Sequence, residues 1–402
     1  MQTKVLLLDN GACCLKVGFS TSKTPRIIPN CLIKAKHERK RTFIGDQIDD
    51  CEDLSGLYYL LGFQKGFIVN WDIQHQVWDY VFSKDCLNVD TAHTTVILTE
   101  PPFNFRSIQE VTNEVLFEDY QFNAVLRTTA SSLSADGYLQ RNKNEPCCLV
   151  VDSGFSFTHV TPFYRGKPVK EGIVRTSVGG KALTNHLKEI VSYRQLNVME
   201  ETYVMNQCKE DCCFVSQDFL ADMTTAKKKG AENTIVREYV LPDFTNNQSG
   251  YLRQLQAKQT EETDKDMQAV KMNHERFTVP ELLFRPSDCG LNEMGVAEAI
   301  LHSVVNECPE EMRFHLLKNI ILTGGNCCFP GFKERIESEI RAGAPDLCDV
   351  CVACPSSPLT CAWEAGAGLA VDAPRLTDLC VKRSEYEELG SRICAEKFAP
   401  WI

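Results

Sequence analysis

No stretch of this 402-residue chain is apolar for long enough to cross a bilayer as a helix. The opening apolar run, Val5 to Leu8, is short and ends at Asp9, with no small-residue cleavage pattern behind it. No signal peptide is expected, and the chain reads as a soluble intracellular protein. Positive charge is also scarce: 43 Lys and Arg face 54 Asp and Glu, for a net charge of -11. Broad nucleic-acid binding draws its affinity from phosphate contacts, so direct sequence-specific nucleic-acid binding is not expected. A fourth metal ligand is missing too. Cys348, Cys351 and Cys354 have the spacing of thiolates in a zinc site, but no further cysteine or histidine pair follows nearby. A closed zinc site takes four ligands, so the alternative is a buried strand in which Val350, Val352 and Ala353 interleave with the thiols.

What the chain holds in quantity is cysteine, with 20 residues. Cys13-Cys14, Cys147-Cys148, Cys212-Cys213 and Cys327-Cys328 are adjacent pairs. Neighbours in a strand face opposite ways, so such pairs are badly placed for bridging or for joint metal binding. Most cysteines lie in apolar segments, where they act as small hydrophobes, and an intracellular chain of this size needs no disulfide framework. With 43% hydrophobic residues the chain has enough apolar material for two large lobes rather than one core.

Two distant segments repeat one pattern. Val5 to Gly11 is an apolar strand ending in Asp-Asn-Gly, followed by Lys16 to Phe19; Leu149 to Gly154 ends in Asp-Ser-Gly, followed by Phe157 to Val160. Each is a strand, a glycine turn and a returning strand. A third strand and turn, Asn319 to Gly325, leads into a helix with Phe332, Ile336 and Ile340 on one face. Helices are also expected over 107–120 and, after Gly179-Gly180, over 181–193. Strands alternate with helices, so the class is α/β. The segment 243–273 is rich in Gln, Asn, Glu, Asp and Lys and reads as a surface insertion, partly helical or disordered.

A glycine in a tight turn lets backbone N–H groups approach an anion. Two such hairpins facing each other would clamp a polyphosphate, with Asp9 and Asp152 holding a hydrated divalent cation and Lys16 reaching a phosphate. A single Asp-x-Gly is more often an ordinary turn; two matched copies together with Gly324-Gly325 shift that balance.

With these motifs in place, the chain resembles the actin family over nearly its full length. The hairpins resemble the phosphate loops shared by actins, sugar kinases and heat-shock ATPases, and Gly324-Gly325 resembles their adenosine loop. The actin branch is marked by Asn70-Trp71-Asp72, Leu98-Thr99-Glu100-Pro101, Asn273 to Phe277 and Phe284-Arg285-Pro286-Ser287. Within that branch the chain is similar to the actin-related protein 6 family, through Tyr193 to Met199, Tyr239 to Phe244, Phe63-Gln64-Lys65-Gly66 and Trp363-Glu364.

The resemblance implies an actin-like fold of two lobes of duplicated topology around a nucleotide cleft. The first lobe would span 1–146, with a small subdomain at about 31–61, completed by 361–402. The second would span 147–360, with a small subdomain at about 179–290 that carries the insertion 243–273. It implies ATP or ADP with Mg2+, held structurally. Asp9 and Asp152 would face the metal through water. Gly11, Ala12, Cys13 and Lys16 match the first phosphate loop, and Ser153 and Gly154 the second. Gly180, Lys209, Glu210, Gly324, Gly325 and Phe329 match the nucleoside contacts. It also implies a nuclear subunit of a histone-exchange remodelling complex, with the motor, a small zinc-finger subunit and possible contacts to histones or heterochromatin protein as partners. The insertion 243–273 would serve as a docking region.

Departures from the actin pattern argue against catalysis, so no catalytic residue is assigned. The first loop carries Ala12, Cys13 and Cys14 in place of small residues that include a hydroxyl. Phe155 replaces an aspartate, Leu359 replaces the lysine beside the adenine, and Thr129 aligns with the glutamine that places the attacking water. Phosphoryl transfer depends on positioning, so hydrolysis should be slow or absent. His159 is retained and is expected to be structural rather than a general base. The stretch Cys31 to Phe43 is short and basic where actin has a filament-docking loop, so no filament is expected. That basic run reads as a solvated loop, with a nuclear-import signal or a contact to acidic partners as alternatives.

Overall fold

In a computed structural model the chain is described over residues 4–35, 41–51, 56–243, 247, 249–253 and 267–399. Two six-stranded sheets organise it. The first runs Val381–Lys382, Ala124–Thr129, Thr94–Glu100, Lys4–Asn10, Cys14–Phe19, Arg26–Pro29. The second runs Lys167–Pro168, Thr158–Tyr164, Cys147–Ser153, Ile320–Thr323, Val352–Ala353, with Val174–Thr176 also pairing to Thr158–Tyr164. Thr94–Glu100 is buried along its whole length, as expected for a strand covered on both faces.

The duplication seen in the sequence holds at the level of register. Lys4–Asn10 pairs antiparallel with its returning strand and parallel with Thr94–Glu100; Cys147–Ser153 does the same with Thr158–Tyr164 and Ile320–Thr323. Asp9 stands opposite Lys16, and Asp152 stands opposite His159. Both hairpin turns therefore leave their sheets at equivalent points.

Two helices, Ala130–Arg141 and Cys361–Val371, pack together between the sheets. Small residues make this possible. A Cβ on Gly137 would lie 2.8 Å from the Ala365 Cβ, and one on Gly366 would lie 2.3 Å from Leu7 Cδ2. The chain then returns to the first lobe: Trp363, Leu369, Cys394 and Phe398 share a core with Leu6, Leu8, Trp78 and Val96. A separate core fills the second lobe around Leu149, Val160, Leu187, Ile320 and Phe332.

Each lobe carries a smaller sheet. Cys31–Ala35 pairs with Thr42–Ile44 and Leu57–Leu61 around Ile33, Phe43 and Ile48. The tip of the basic stretch, 36–40, lies outside the described residues. Arg237–Val240 pairs with Tyr251–Arg253 and Ala269–Met272. The described ends of the insertion 243–273 are thus strands, not helix, because each finds a partner in Arg237–Val240; residues 254–266 lie outside the described set.

The cysteine expectations need correction. Only Cys147-Cys148 sits within a strand; Cys212-Cys213 ends a helix, Cys327-Cys328 lies in a 3-10 turn, and Cys13-Cys14 spans the end of a hairpin loop. Cys348, Cys351 and Cys354 lie mostly on a loop, with only Val352–Ala353 in a strand. Cys348 is buried and Cys351 exposed, and no group of three metal-ligating side chains occurs among the described residues. The expected helix over 107–120 is Arg106–Glu114 continued by a π turn over Val115–Asp119.

Candidate functional site

Between the two hairpins lies a cavity of about 490 Å3, within the range of small-molecule sites. Every residue the sequence assigns to nucleotide or metal lines it except Ser153, and Thr129 and His159 stay outside it. The first hairpin supplies Asp9, Gly11, Ala12, Cys13 and Lys16; the second supplies Asp152, Gly154 and Phe155. Gly180, Lys209 and Glu210 come from two helices of the second lobe, and Gly324, Gly325, Phe329 and Leu359 close the far end.

The turns need their glycines. A Cβ on Gly11 would lie 2.8 Å from the Cys14 carbonyl oxygen and 3.2 Å from Lys16 Nζ. Gly324 has φ +95°, and a Cβ there would lie 2.3 Å from the Ser153 oxygen. The amides of Ala12, Cys13, Phe155 and Ser156 form no loop hydrogen bond to another backbone group among the described residues. Amides presented in this way suit an anion.

The charged groups at the centre are fixed. Thr99 Oγ1 donates to Asp9 Oδ1 at 2.7 Å and itself accepts from the Asn10 amide at 2.9 Å. Lys16 Nζ lies 3.2 Å from Asp9 Oδ2. Burial works against the Lys16 ammonium, but the charges of Asp9 and Cys14 hold it above its ordinary range. The Asp152 carboxylate accepts no hydrogen bond among the described residues, and burial, reinforced by Asp9, raises it to about 7. An acid without a donor, beside a second acid, is the setting in which a cation brings the most stabilisation. The donors and acids present therefore fit a polyphosphate accompanied by a hydrated divalent cation, with Asp9 and Asp152 facing the cation and the loop amides with Lys16 facing the phosphates.

Asn326, which was not singled out from the sequence, holds the second loop in place together with the amides of Gly180 and Lys181. Asn326 Nδ2 donates to the Gly154 oxygen at 2.8 Å and to Ser153 Oγ at 3.1 Å. The Gly180 amide donates to the Gly154 oxygen at 3.0 Å and that of Lys181 to the Phe155 oxygen at 2.9 Å. The signal for Asn326 was its place directly after Gly324-Gly325. Lys209 lines the cavity but is already committed: Nζ donates to Asn206 Oδ1 at 2.8 Å, to Thr184 Oγ1 at 3.0 Å and to the Gly180 oxygen at 3.4 Å. Burial lowers its pKa. Lys209 orders two helices and has no proton left for a phosphate.

The positions expected to manage water are set differently. Thr129 does not line the cavity. It is the N-cap of Ala130–Arg141, accepting from the Ser132 amide at 3.0 Å and donating to Ser132 Oγ at 2.8 Å. His159 is fully buried, with the Phe157 ring 4.2 Å away between centroids. Burial, with help from the Arg175 charge, lowers it to about 3. It is neutral at physiological pH and shut off from the cavity.

The match to known proteins is consistent with this geometry. The actin family model covers residues 1–399. The chain belongs to the actin family. This actin-family chain is 44% identical to Actin-related protein 6 of Drosophila melanogaster over 97% of its own length and 98% of the relative's. It is 35% identical to Actin-related protein 6 of Arabidopsis thaliana, with 98% and 99% covered. It is 37% identical to Actin-like protein ARP6 of Cryptococcus neoformans, with 98% and 84% covered. Its fold is accordingly the α/β actin-like fold, and the chain is an actin-related protein. No helix among the described residues is long and apolar enough to cross a membrane.

Proposed function

We propose that the chain is a non-catalytic actin-related subunit of a nuclear histone-variant exchange complex, in which Mg2+ with ATP or ADP serves as a structural wedge between the lobes. The observation that carries the non-catalytic reading is the commitment of the water-placing positions. Thr129 caps a helix, His159 is buried and neutral, and Phe155 brings an apolar ring where an acid would orient water. Phosphoryl transfer depends on positioned groups, and these side chains position none. The holding groups remain: the glycine turns, Lys16, Asp9 and Asp152. A bound nucleotide would neutralise charge and fill the cleft, stabilising the folded chain by mass action.

The complex-level reading rests on relatives named Actin-related protein 6 in animals and plants and on a net charge of -11, which favours contact through protein partners over direct DNA contact. The insertion 243–273, rooted in the sheet of Arg237–Val240, would take the motor or a small zinc-finger subunit, because a surface loop is elaborated without disturbing the core. Histones or a heterochromatin protein belong to the same proposed set of partners, and a nuclear location follows from it.

The test is the nucleotide content of the purified protein. The protein is denatured, and the released material is resolved by anion exchange over a time course at physiological temperature. Persistent ATP supports the structural wedge. ADP accumulating from ATP would establish a slow ATPase instead, and no nucleotide at all would leave partner binding alone. Co-purification of the tagged chain with a remodelling motor tests the second half, and recovery of the chain free of any such motor would remove it.

A further inference from the structure

On the outer side of the interlobe contact, large apolar side chains face water. Phe103 and Phe105 are 55% and 59% exposed, and Val69 is 57% exposed. The Phe105 ring packs on the half-buried Phe67 ring at 5.0 Å between centroids. The Arg175 guanidinium lies 5.1 Å from the Phe67 centroid and 4.7 Å from that of Phe157. Phe105 follows a strand of the first sheet and Arg175 lies in a strand of the second, so the patch crosses from one lobe to the other. We propose that Phe67, Val69, Phe103 and Phe105, rimmed by Lys65, Arg106 and Arg175, form a docking surface for an acidic segment of a partner protein that carries aliphatic or aromatic anchors. The surface extends the scaffold reading above, yet it requires neither the nucleotide nor the complex named there.

The rings are held out rather than left loose. Pro101 and Pro102 restrict the chain before them. Asn104 Nδ2 donates to Glu100 Oε2 at 2.8 Å, and Arg127 Nη1 fixes that carboxylate from the other side at 2.9 Å. Phe103 has φ +56°, a left-handed conformation that a bulky residue adopts at a cost. Burial does not offset the cost, because more than half of the side chain is in solvent. Backbone strain that presents a ring to water is the mark of a binding role. Pre-ordered aromatic side chains lose little entropy on binding, and aromatic and Arg side chains dominate interface energies.

Charge decides the occupant. Residues 63–70, 101–106 and 174–179 meet here, and together they hold three cations and no acid, in a chain of net charge -11. Lys65 and Arg175 make no ion pair among the described residues; the Arg175 guanidinium donates instead to the Lys65 carbonyl oxygen at 2.9 Å. Arg106 pairs with Glu110 at 2.9 Å, but its side chain is 87% exposed, and Glu293 acts on Arg175 from outside the patch. A positive rim around apolar rings selects a partner that brings acids and anchors together. A second copy of this chain would bring the same cations to the same place, and duplex DNA would meet the cations without anchoring the rings.

The probe is a random peptide library displayed on phage and selected on the full chain. Selected peptides are then labelled and titrated by fluorescence anisotropy. The expected peptides are rich in Asp and Glu around Leu, Phe or Trp. Glycine suits φ +56°, so Phe103→Gly should unfold at a urea midpoint no lower than the parent's. Combined with Phe105→Ser, it should still weaken the selected peptides at least about tenfold. Lys65→Glu with Arg106→Glu should weaken them roughly fivefold, and more at low salt than at high. A library that yields no peptide, or peptides that bind parent and ring variants alike, would overturn the surface. Selected peptides that are basic, or indifferent to the two charge reversals, would overturn the acidic occupant. So would self-association of the parent, or duplex DNA binding by it, that the ring variants abolish. None of these results depends on nucleotide content or on co-purification with a motor, so the surface and the function proposed above fail separately.

Discussion

Asp152 offers a test of the cleft that needs no partner and no catalytic assay. Its carboxyl is partly buried on the cavity wall near Asp9 and accepts no hydrogen bond among the described residues, and its pKa rises from the ordinary 3.8 to about 7. Between those values the folded chain keeps a proton that the unfolded chain has lost. Stability therefore falls as pH rises from about 4 through about 7, and the loss is complete above that window. Each pH unit of the window is worth about 1.4 kcal/mol, so the ionised carboxylate costs up to about 4 kcal/mol, and roughly 2–4 once water in the cleft is allowed for. Asp152→Asn removes the charge and keeps the shape. In EDTA and without nucleotide, the variant should be about 2–4 kcal/mol more stable than the parent near pH 8 and equal to it near pH 4, measured by urea unfolding. Adding Mg2+ and ATP should stabilise the parent more than the variant, because a cation relieves the repulsion between Asp9 and Asp152. Equal stability of the two proteins at both pH values would refute the electrostatic account of the site.

Three further outcomes follow from named contacts. Arg127 Nη1 donates to both Glu100 oxygens at 2.8 and 2.9 Å with both side chains buried, so Arg127→Met should cost about 3–5 kcal/mol in a urea titration, and adding Glu100→Gln should recover most of it. Gly66 has φ +81° and a Cβ there would lie 1.9 Å from Phe157 Cε1, so Gly66→Ala should destabilise the interlobe contact by about 1–3 kcal/mol, with Phe157→Leu in the same chain restoring part of that loss. Lys16→Met removes the ammonium beside Asp9 and should weaken ATP binding by at least about tenfold in equilibrium dialysis, the size expected for losing a charge-assisted hydrogen bond; unchanged affinity would place the phosphates elsewhere.

Much of this architecture was legible because it is written locally. An apolar strand, Asp-x-Gly and a returning strand specify a hairpin without reference to the rest of the chain, and two copies imply two sheets. Gathering Asp9, Lys16, Asp152, Lys209 and Gly324 around one cavity needed only the duplication and the family resemblance. What stayed hidden depends on contacts distant in sequence or on the choice of one partner among several. Thr129 aligned with a water-placing residue, but a hydroxyl at the start of a helix is a strong cap, and the Ser132 amide claimed it. Tyr251–Arg253 and Ala269–Met272 lie in a polar stretch of sequence, and pairing with Arg237–Val240 makes them strands. The burial of Glu100 with Arg127 joins neighbouring strands whose partners lie 27 positions apart, and nothing in either local sequence announces it.

The register of the two hairpins bears directly on the proposal that the cleft holds a nucleotide without hydrolysing it. In the first hairpin the residue opposite the acid is Lys16, a buried cation facing the cavity. In the second the residue opposite the acid is His159, a neutral ring sealed under Phe157. Phe157 also occupies the space beside Gly66, and Arg175 donates to the Lys65 oxygen at 2.9 Å while lying over the Phe157 ring. The side chain that shuts His159 away from water is thus part of the contact joining the lobes at the floor of the cleft. Reopening that position for a water would loosen the interlobe contact, whereas a ligand that only fills the cleft reinforces it. On the proposed reading, a stable interlobe contact and a water beside His159 make opposing demands on the same ring, and the ring lies against Gly66 and His159.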